Sequence, residues 1–167
     1  GDVFQGNLGT TFNGQSVNEI LIRTFPTTLR LALLAVIIQL VVGVTAGLIS
    51  GLRKGGIFDH AALIVTLILI SLPVFVLAFV AQWFFGIELG WFRPTVGQGA
   101  PWSDLILPAI VLAALNMAYV VRLTRGSVIE TSQADFVRMA YGKGLPSRRV
   151  VPVHVLRNSL IPVTTNL

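Results

Sequence analysis

The 167-residue chain contains no cysteine. That excludes a disulfide framework, a cysteine-based zinc site, an iron–sulfur ligand set and a thiol nucleophile. Its two histidines, His60 and His154, stand far apart with no second ligand at metal-binding spacing, so no metal site is expected. Charge is scarce: 11% of residues are charged, against about 25% in a soluble domain. With 54% hydrophobic residues, such a chain cannot solvate its own surface, which excludes a soluble domain. Disorder is excluded as well, because it needs low hydrophobicity and high charge. A phosphate loop is missing, since Gly142-Lys143-Gly144 has neither the spacing nor the Ser/Thr that holds magnesium. No carboxylate is expected inside a membrane span, which argues against a proton relay or sodium site built from buried acids.

What the chain does have is long uncharged runs. Leu31–Leu52 has 22 residues without a charge, about 33 Å as a helix and enough for a hydrocarbon core of about 30 Å. Ala61–Ile87 has 27 and contains Pro73, which should kink the helix near Ser71-Leu72-Pro73. Leu105–Val121 has only 17, so this helix is expected to continue past Arg122. The fold class expected is an all-α membrane protein, a polytopic helical bundle. Its transmembrane helices are placed at 29–52, 61–87 and 105–125. Before them, 1–25 reads as an external segment. Gly1–Gly14 is polar and irregular, and the Ser16–Glu19 capping box starts a short interfacial helix that should stop at Phe25, before Pro26. Thr27 or Thr28 can then cap the first span. After the third span, 130–158 is a cytoplasmic segment and 159–167 begins a further span. The chain opens on Gly1 and ends inside an uncharged run, so an internal fragment of a longer protein is expected.

Gly43, Gly47 and Gly51 recur every four residues and share a helix face, which suits close helix packing. Pro73, Gln82, Asn116 and Tyr119 are the candidates for lining a translocation path. The competing readings are a purely structural kink at Pro73 and inter-helix hydrogen bonding by the polar side chains, Gln39 among them. Seven basic residues lie between Arg122 and Arg157 against two acids, Glu130 and Asp135. A nucleic-acid interface is the sharp reading of that stretch. Long apolar helices on both sides favour a positive-inside loop instead, and no nucleic-acid partner is expected. Arg53-Lys54 and the basic stretch then face the cytoplasm. Gly1–Phe25 and Glu88–Asp104 face outward, with Trp83, Trp91 and Trp102 forming an interfacial belt around the second of these.

A segment of about 35 residues between spans needs structure or purpose of its own. It reads as two short helices. The first covers roughly Gln133–Lys143 and stops at Gly144; the second covers Arg148 to about Asn158, capped by Ser147 and interrupted by Pro152. Phe136, Val137, Ala140 and Tyr141 share a face of the first helix. That face could enter a groove on a partner or pack on the chain's own spans.

These residues also carry a resemblance. Leu8-Gly9-Thr10, Phe25-Pro26-Thr27-Thr28-Leu29, Ser71-Leu72-Pro73-Val74-Phe75, Leu107-Pro108-Ala109 and Arg122-Leu123-Thr124-Arg125 follow one another as blocks of a single family. The run Asp135–Leu145 and the later His154-Val155-Leu156-Arg157-Asn158-Ser159-Leu160-Ile161-Pro162 continue the series. Together they resemble the inner-membrane permease subunit of bacterial ABC importers for dipeptides, oligopeptides or nickel. The likeness covers essentially the whole chain and implies the type I ABC importer permease fold.

It further implies a multi-pass protein of the cell inner (plasma) membrane, surrounded by lipid and paired with a second, related permease subunit. Cytoplasmic ATPase subunits would carry ATP and Mg, leaving no cofactor and no enzymatic activity in this chain. An extracytoplasmic binding protein would deliver peptide, or nickel or glutathione in look-alike systems. Docking of the ATPase would use Asp135, Phe136, Arg138, Ala140, Tyr141, Lys143, Gly144, Leu145, His154, Leu156 and Arg157. Ala140, Gly144 and Leu156 match the family's E-A-A-x-x-x-G and I-x-L-P pattern. Arg138 stands for its glutamate, Met139 for its first alanine, and His154 and Arg157 for its Ile and Pro. Gly144→Asp is expected to abolish uptake while the chain still inserts. Two other readings stay open on the residues alone: an ion-coupled transporter or channel needing no ATPase, and a membrane scaffold without cargo.

Overall fold

The computed structural model describes residues 8–12, 14–97 and 99–165. Parts of the expected external segment, 1–7 and Asn13, lie outside the described residues, as do Gln98 in the loop and 166–167 at the end.

The first helix, α1, runs Val17–Leu52 over 36 residues, about 54 Å. It contains Pro26, so the short interfacial helix expected to end at Phe25 is continuous with the span behind it. The bias against helix before a proline is a preference at one residue. The cooperative ladder on both sides outweighs it, since unpaired backbone groups in an apolar setting cost several kcal/mol each. Thr27 and Thr28 therefore lie inside α1 and cap nothing, and Thr28 Oγ1 donates back to Thr24 O. Ser16 is the N-cap residue by backbone position, but its side chain makes no capping bond. An isolated bridge between Thr10 and Ser16 closes the polar loop before it.

After the turn at Gly55, α2 covers Ile57–Ser71. Leu72 and Pro73 are extended, and α3, Val74–Ala81, runs on into a π-helical stretch, Gln82–Glu88. The two halves are bent by 107° at the break. Pro73 removes a donor and pushes Leu72 out of the helical region. Ser71 Oγ takes up the carbonyl of Leu67 just before the break. The uncharged run 61–87 is thus two helices at a sharp angle.

The next helix, α4, is Trp102–Ser132, 31 residues and about 46 Å, continuing well past Arg122. Pro108 is the seventh residue of α4, one turn deeper than a helix starting at Leu105 would place it, and it removes one backbone donor from the helix. Then come α5, Asp135–Gly142; α6, Ser147–Val150; a π-helical stretch, Val151–Leu156, around Pro152; α7, Arg157–Ser159; and α8, Ile161–Thr165. Ser147 is the first residue of α6 rather than its cap, which is Pro146. Among the described residues there is no strand, so the fold is all-α. Two helices, α1 and α4, are long and apolar enough to cross a membrane, or three spans if α2 and α3 count as one broken span.

The pairing of α1 with α4 organises the molecule. α1 buries a narrow stripe at Ala35, Gln39, Gly43, Gly47 and Gly51, one residue every four. Small residues bring the backbones together: a β-carbon on Gly43 would meet Val120 Cγ1 at 2.9 Å, and one on Gly51 would meet Val128 at 2.8 Å. At one end of this pair Ala35, Ala109 and Ala113 form an apolar cluster with Leu31, Leu34 and Ile38. Outside the stripe α1 exposes Leu33, Ile37 and Val41, and α2 exposes Ile64 and Leu67, surfaces that suit lipid or further helices.

Candidate functional site

The segment after α4 is seated on a small core. Val137 and Ala140 of α5 are buried with Val128 of α4, Val150 and Val155, and Leu48 and Leu145 pack around them. The apolar face of α5 therefore divides. Val137 and Ala140 turn inward against the chain's own helices, while Phe136, Met139 and Tyr141 are exposed. Asp135, Arg138, Lys143, Gly144 and Arg157 are exposed too, and Leu145, His154 and Leu156 are half-buried.

Gly144 ends α5 with φ +77°, the left-handed region that favours glycine. Its N–H donates to Tyr141 O at 2.9 Å, and the N–H of Leu145 donates to Ala140 O at 3.3 Å. These two bonds make a Schellman cap, with Leu145 folded onto the core as the motif's apolar contact. The cap fixes the direction in which the chain leaves α5 for Pro146.

One turn before Val128 lies a polar centre. Asp59, near the start of α2, is buried and accepts four hydrogen bonds. Arg125 of α4 supplies two, Nε to Oδ1 at 2.6 Å and Nη2 to Oδ2 at 2.8 Å. Gly55 N–H donates to Oδ2 at 2.9 Å, and Ser50 Oγ, fully buried on α1, donates to Oδ1. The bidentate fork matches guanidinium to carboxylate, and the carboxylate is filled by its partners. A carboxylate thus does lie inside a helix of the apolar bundle, contrary to the sequence reading, because α2 starts at Ile57 and not at Ala61. Being paired with an arginine, it is a structural ion pair.

At the opposite end, Arg30 of α1 lies over the ring of Trp102, 5.6 Å from its centroid. Arg93 pairs with Asp104 at 3.2 Å. From Arg30 to Ser50 is about 30 Å of helix, and from Trp102 to Arg125 about 35 Å. The two polar levels are therefore separated by about the thickness of a hydrocarbon core.

The residues singled out as path candidates fall at three places in the fold. Gln82 lines a cavity of about 410 Å³ with Leu31, Val74, Arg93, Leu107 and Val111. Its amide donates to Pro94 O at 2.5 Å, tying the π-helical stretch to the loop before α4. Pro73 sits at the break, and Asn116 and Tyr119 lie exposed on α4.

A family profile described as "Binding-protein-dependent transport system inner membrane component" matches residues 43–167. The chain belongs to this family. Among curated relatives, the permease is 36% identical over 192 residues to "Di/tripeptide transport system permease protein DppB" of Pseudomonas aeruginosa, covering 99% of this chain and 57% of that protein. It is 37% identical over 155 residues to "Dipeptide transport system permease protein DppB" of Bacillus subtilis, 91% of this chain and 49% of that protein. With "Oligopeptide transport system permease protein OppB" of Haemophilus influenzae it shares 34% identity over 165 residues, 98% of this chain and 54% of that one. The chain spans about half the length of the curated relatives it matches. The matched stretch holds the glycine row, Asp59, Arg125 and the whole α5 segment of the permease.

Sequence reasoning missed the Asp59 centre. One signal was available: Asp59 is the sole acid between Glu19 and Glu88, inside a region otherwise marked by bases and apolar runs. Such an acid needs a basic partner if it is to be buried.

Proposed function

We propose that the chain is part of the transmembrane permease of an ATP-driven importer that carries peptides into the cytoplasm. Dipeptides and oligopeptides are the first cargo class, with nickel and glutathione as the others that look-alike permeases take. The protein sits in the cell inner membrane as a multi-pass subunit. Arg53, Lys54 and the Arg122–Arg157 stretch lie on the cytoplasmic side, and the Glu88–Asp104 loop lies outside. Its partners are a second, related permease chain, cytoplasmic ATPase subunits and an external substrate-binding protein. ATP and Mg bind in the ATPase, and no hydrolysis occurs in this chain.

The observation that carries this reading is the family match combined with the form of α5. That helix is held from behind by Val137 and Ala140 and offers Phe136, Arg138 and Tyr141 outward. A helix so mounted suits a groove on a partner and can pass force to what lies behind it. Closure of the ATPase on ATP would push α5. The Gly144 cap and the Leu145-Pro146 connection would carry the push onward, and the bundle would alternate between inward- and outward-facing forms.

The test uses the full-length chain with Tyr141→Cys, a unique thiol in the matched sequence, and any ATPase that co-purifies. A crosslink from this position to the ATPase that changes with ATP is the expected result. A properly inserted chain with no ATPase partner overturns the reading in favour of an ion-coupled transporter or a scaffold.

A further inference from the structure

We propose that Asp59 and Arg125 are positioning residues that fasten α2 to the α1–α4–α5 body, so that motion imposed on α5 is carried into α2 and released at the Leu72–Pro73 break. This deepens the ATP-driven reading and rests on it. Three observations support the inference. First, α5 packs through Val137 and Ala140 into one apolar core with Val128 of α4 and Leu48 of α1, so a push on α5 bears on both helices. Second, Arg125 stands one turn before Val128 on α4, and its fork ends on Asp59 of α2, whose carboxylate also holds Ser50 of α1 and the Gly55 turn. Among the described residues no other side-chain hydrogen bond joins α2 to α4. Third, the helix that the pair grips ends at Ser71, and the chain resumes as α3 at Val74 with a bend of 107°. A rigid body that ends at a proline break is a lever with its hinge at the far end.

The path is thus α5 to Val128, one helical turn to Arg125, across the fork to Asp59, and along α2 to Leu72. A bidentate pair whose carboxylate is buried and whose arginine is half-buried suits such a joint. It resists both sliding and rotation, and it cannot slip to a second partner without stranding a charge.

The test uses the complete transporter in proteoliposomes. The chain has no cysteine, so paired labels are unambiguous within it. Distances are measured by pulsed electron resonance between Gln133→Cys and Leu67→Cys, across the joint, and between Leu67→Cys and Val80→Cys, across the break. Expected on ATP binding is an unchanged first distance and a changed second one. A first distance that changes, or a second that does not, overturns the proposal without any joint variant having to fold. Asp59→Asn and Arg125→Lys supply the second arm. Peptide transported per ATP hydrolysed is expected to fall about two- to thirtyfold at equal membrane abundance. An unchanged ratio, whether abundance holds or drops, makes the pair merely structural and overturns the proposal. A wild-type transporter that hydrolyses no ATP refutes instead the reading on which the inference rests.

Discussion

Gly47 of α1 faces Thr124 of α4 with no room for a side chain: a β-carbon built on Gly47 would lie 2.7 Å from Thr124 Cβ and 2.6 Å from Val121 O. The second distance matters more, because a backbone carbonyl inside a helix cannot swing away as a side chain can. Gly47→Ala must push the helices apart, and we expect a loss of about 1–3 kcal/mol. Gly126→Ala on α4 is the control, since nothing lies within 4 Å of its β-position. There the better helix former should leave stability unchanged or raise it by up to about 1 kcal/mol. Thermal unfolding of both variants in nanodiscs checks the contrast. Equal melting temperatures would show that the glycine row does not set the α1–α4 distance.

The same contact leaves a cost on the other side. Thr124 is fully buried, and its Oγ1 has no hydrogen-bond partner among the described residues. Thr124→Val keeps the shape and removes the unpaired hydroxyl, so it should stabilise the permease by about 1–3 kcal/mol. The melting temperature should rise, and a fall would reveal a partner for that hydroxyl.

How much of this was readable follows from how local each feature is. The apolar runs, the glycine row, the break near Pro73 and the left-handed turn at Gly144 depend on composition or on the backbone of one or two residues, and those signals are in the sequence itself. Pro26 and Pro73 show the limit. Both disfavour helix before them, yet α1 continues and α2 breaks. The two prolines sit in different surroundings. Pro26 lies in the exposed N-terminal part of α1, before the stripe that α1 buries from Ala35 onward. Past Pro73 the chain turns away to meet the loop before α4, where Gln82 bonds Pro94 O and the β-position of Gly86 lies 3.2 Å from Pro94 Cα. The Asp59–Arg125 pair is further out of reach, because its partners are 66 residues apart and meet only when the Gly55 turn folds α2 back beside α4. Likewise the helical period put Phe136, Val137, Ala140 and Tyr141 on one broad face, but only the core at Val128 divides that face into seat and surface.

That division separates stability from docking. Val137→Ala removes buried methyls from the α5 seat and should cost about 0.5–3 kcal/mol. Tyr141→Ala removes an exposed ring and should change stability by less than about 0.5 kcal/mol while reducing ATPase recovery. Unfolding curves and co-purification of the ATPase are measured on the same preparations. If Tyr141→Ala retains the full complement of ATPase, the exposed face of α5 is not the docking surface.

Gly144 allows strain and charge to be told apart. No atom lies within 4 Å of its β-position, so a side chain meets no steric wall there. The constraint is the backbone, at φ +77°, which costs an ordinary L-residue about 1–2 kcal/mol. Asparagine visits that region most readily among the non-glycines, and valine is the worst suited. Gly144→Asn should therefore keep most of the uptake per inserted molecule, and Gly144→Val should lose most of it. Gly144→Asp has the shape of asparagine but adds a negative charge beside Lys143 on the exposed face. If aspartate abolishes uptake while asparagine does not, charge at the docking surface is what the position cannot accept. If both abolish it, the Schellman geometry tolerates no side chain at all. Should valine transport as well as glycine, the left-handed cap has no part in carrying force from α5.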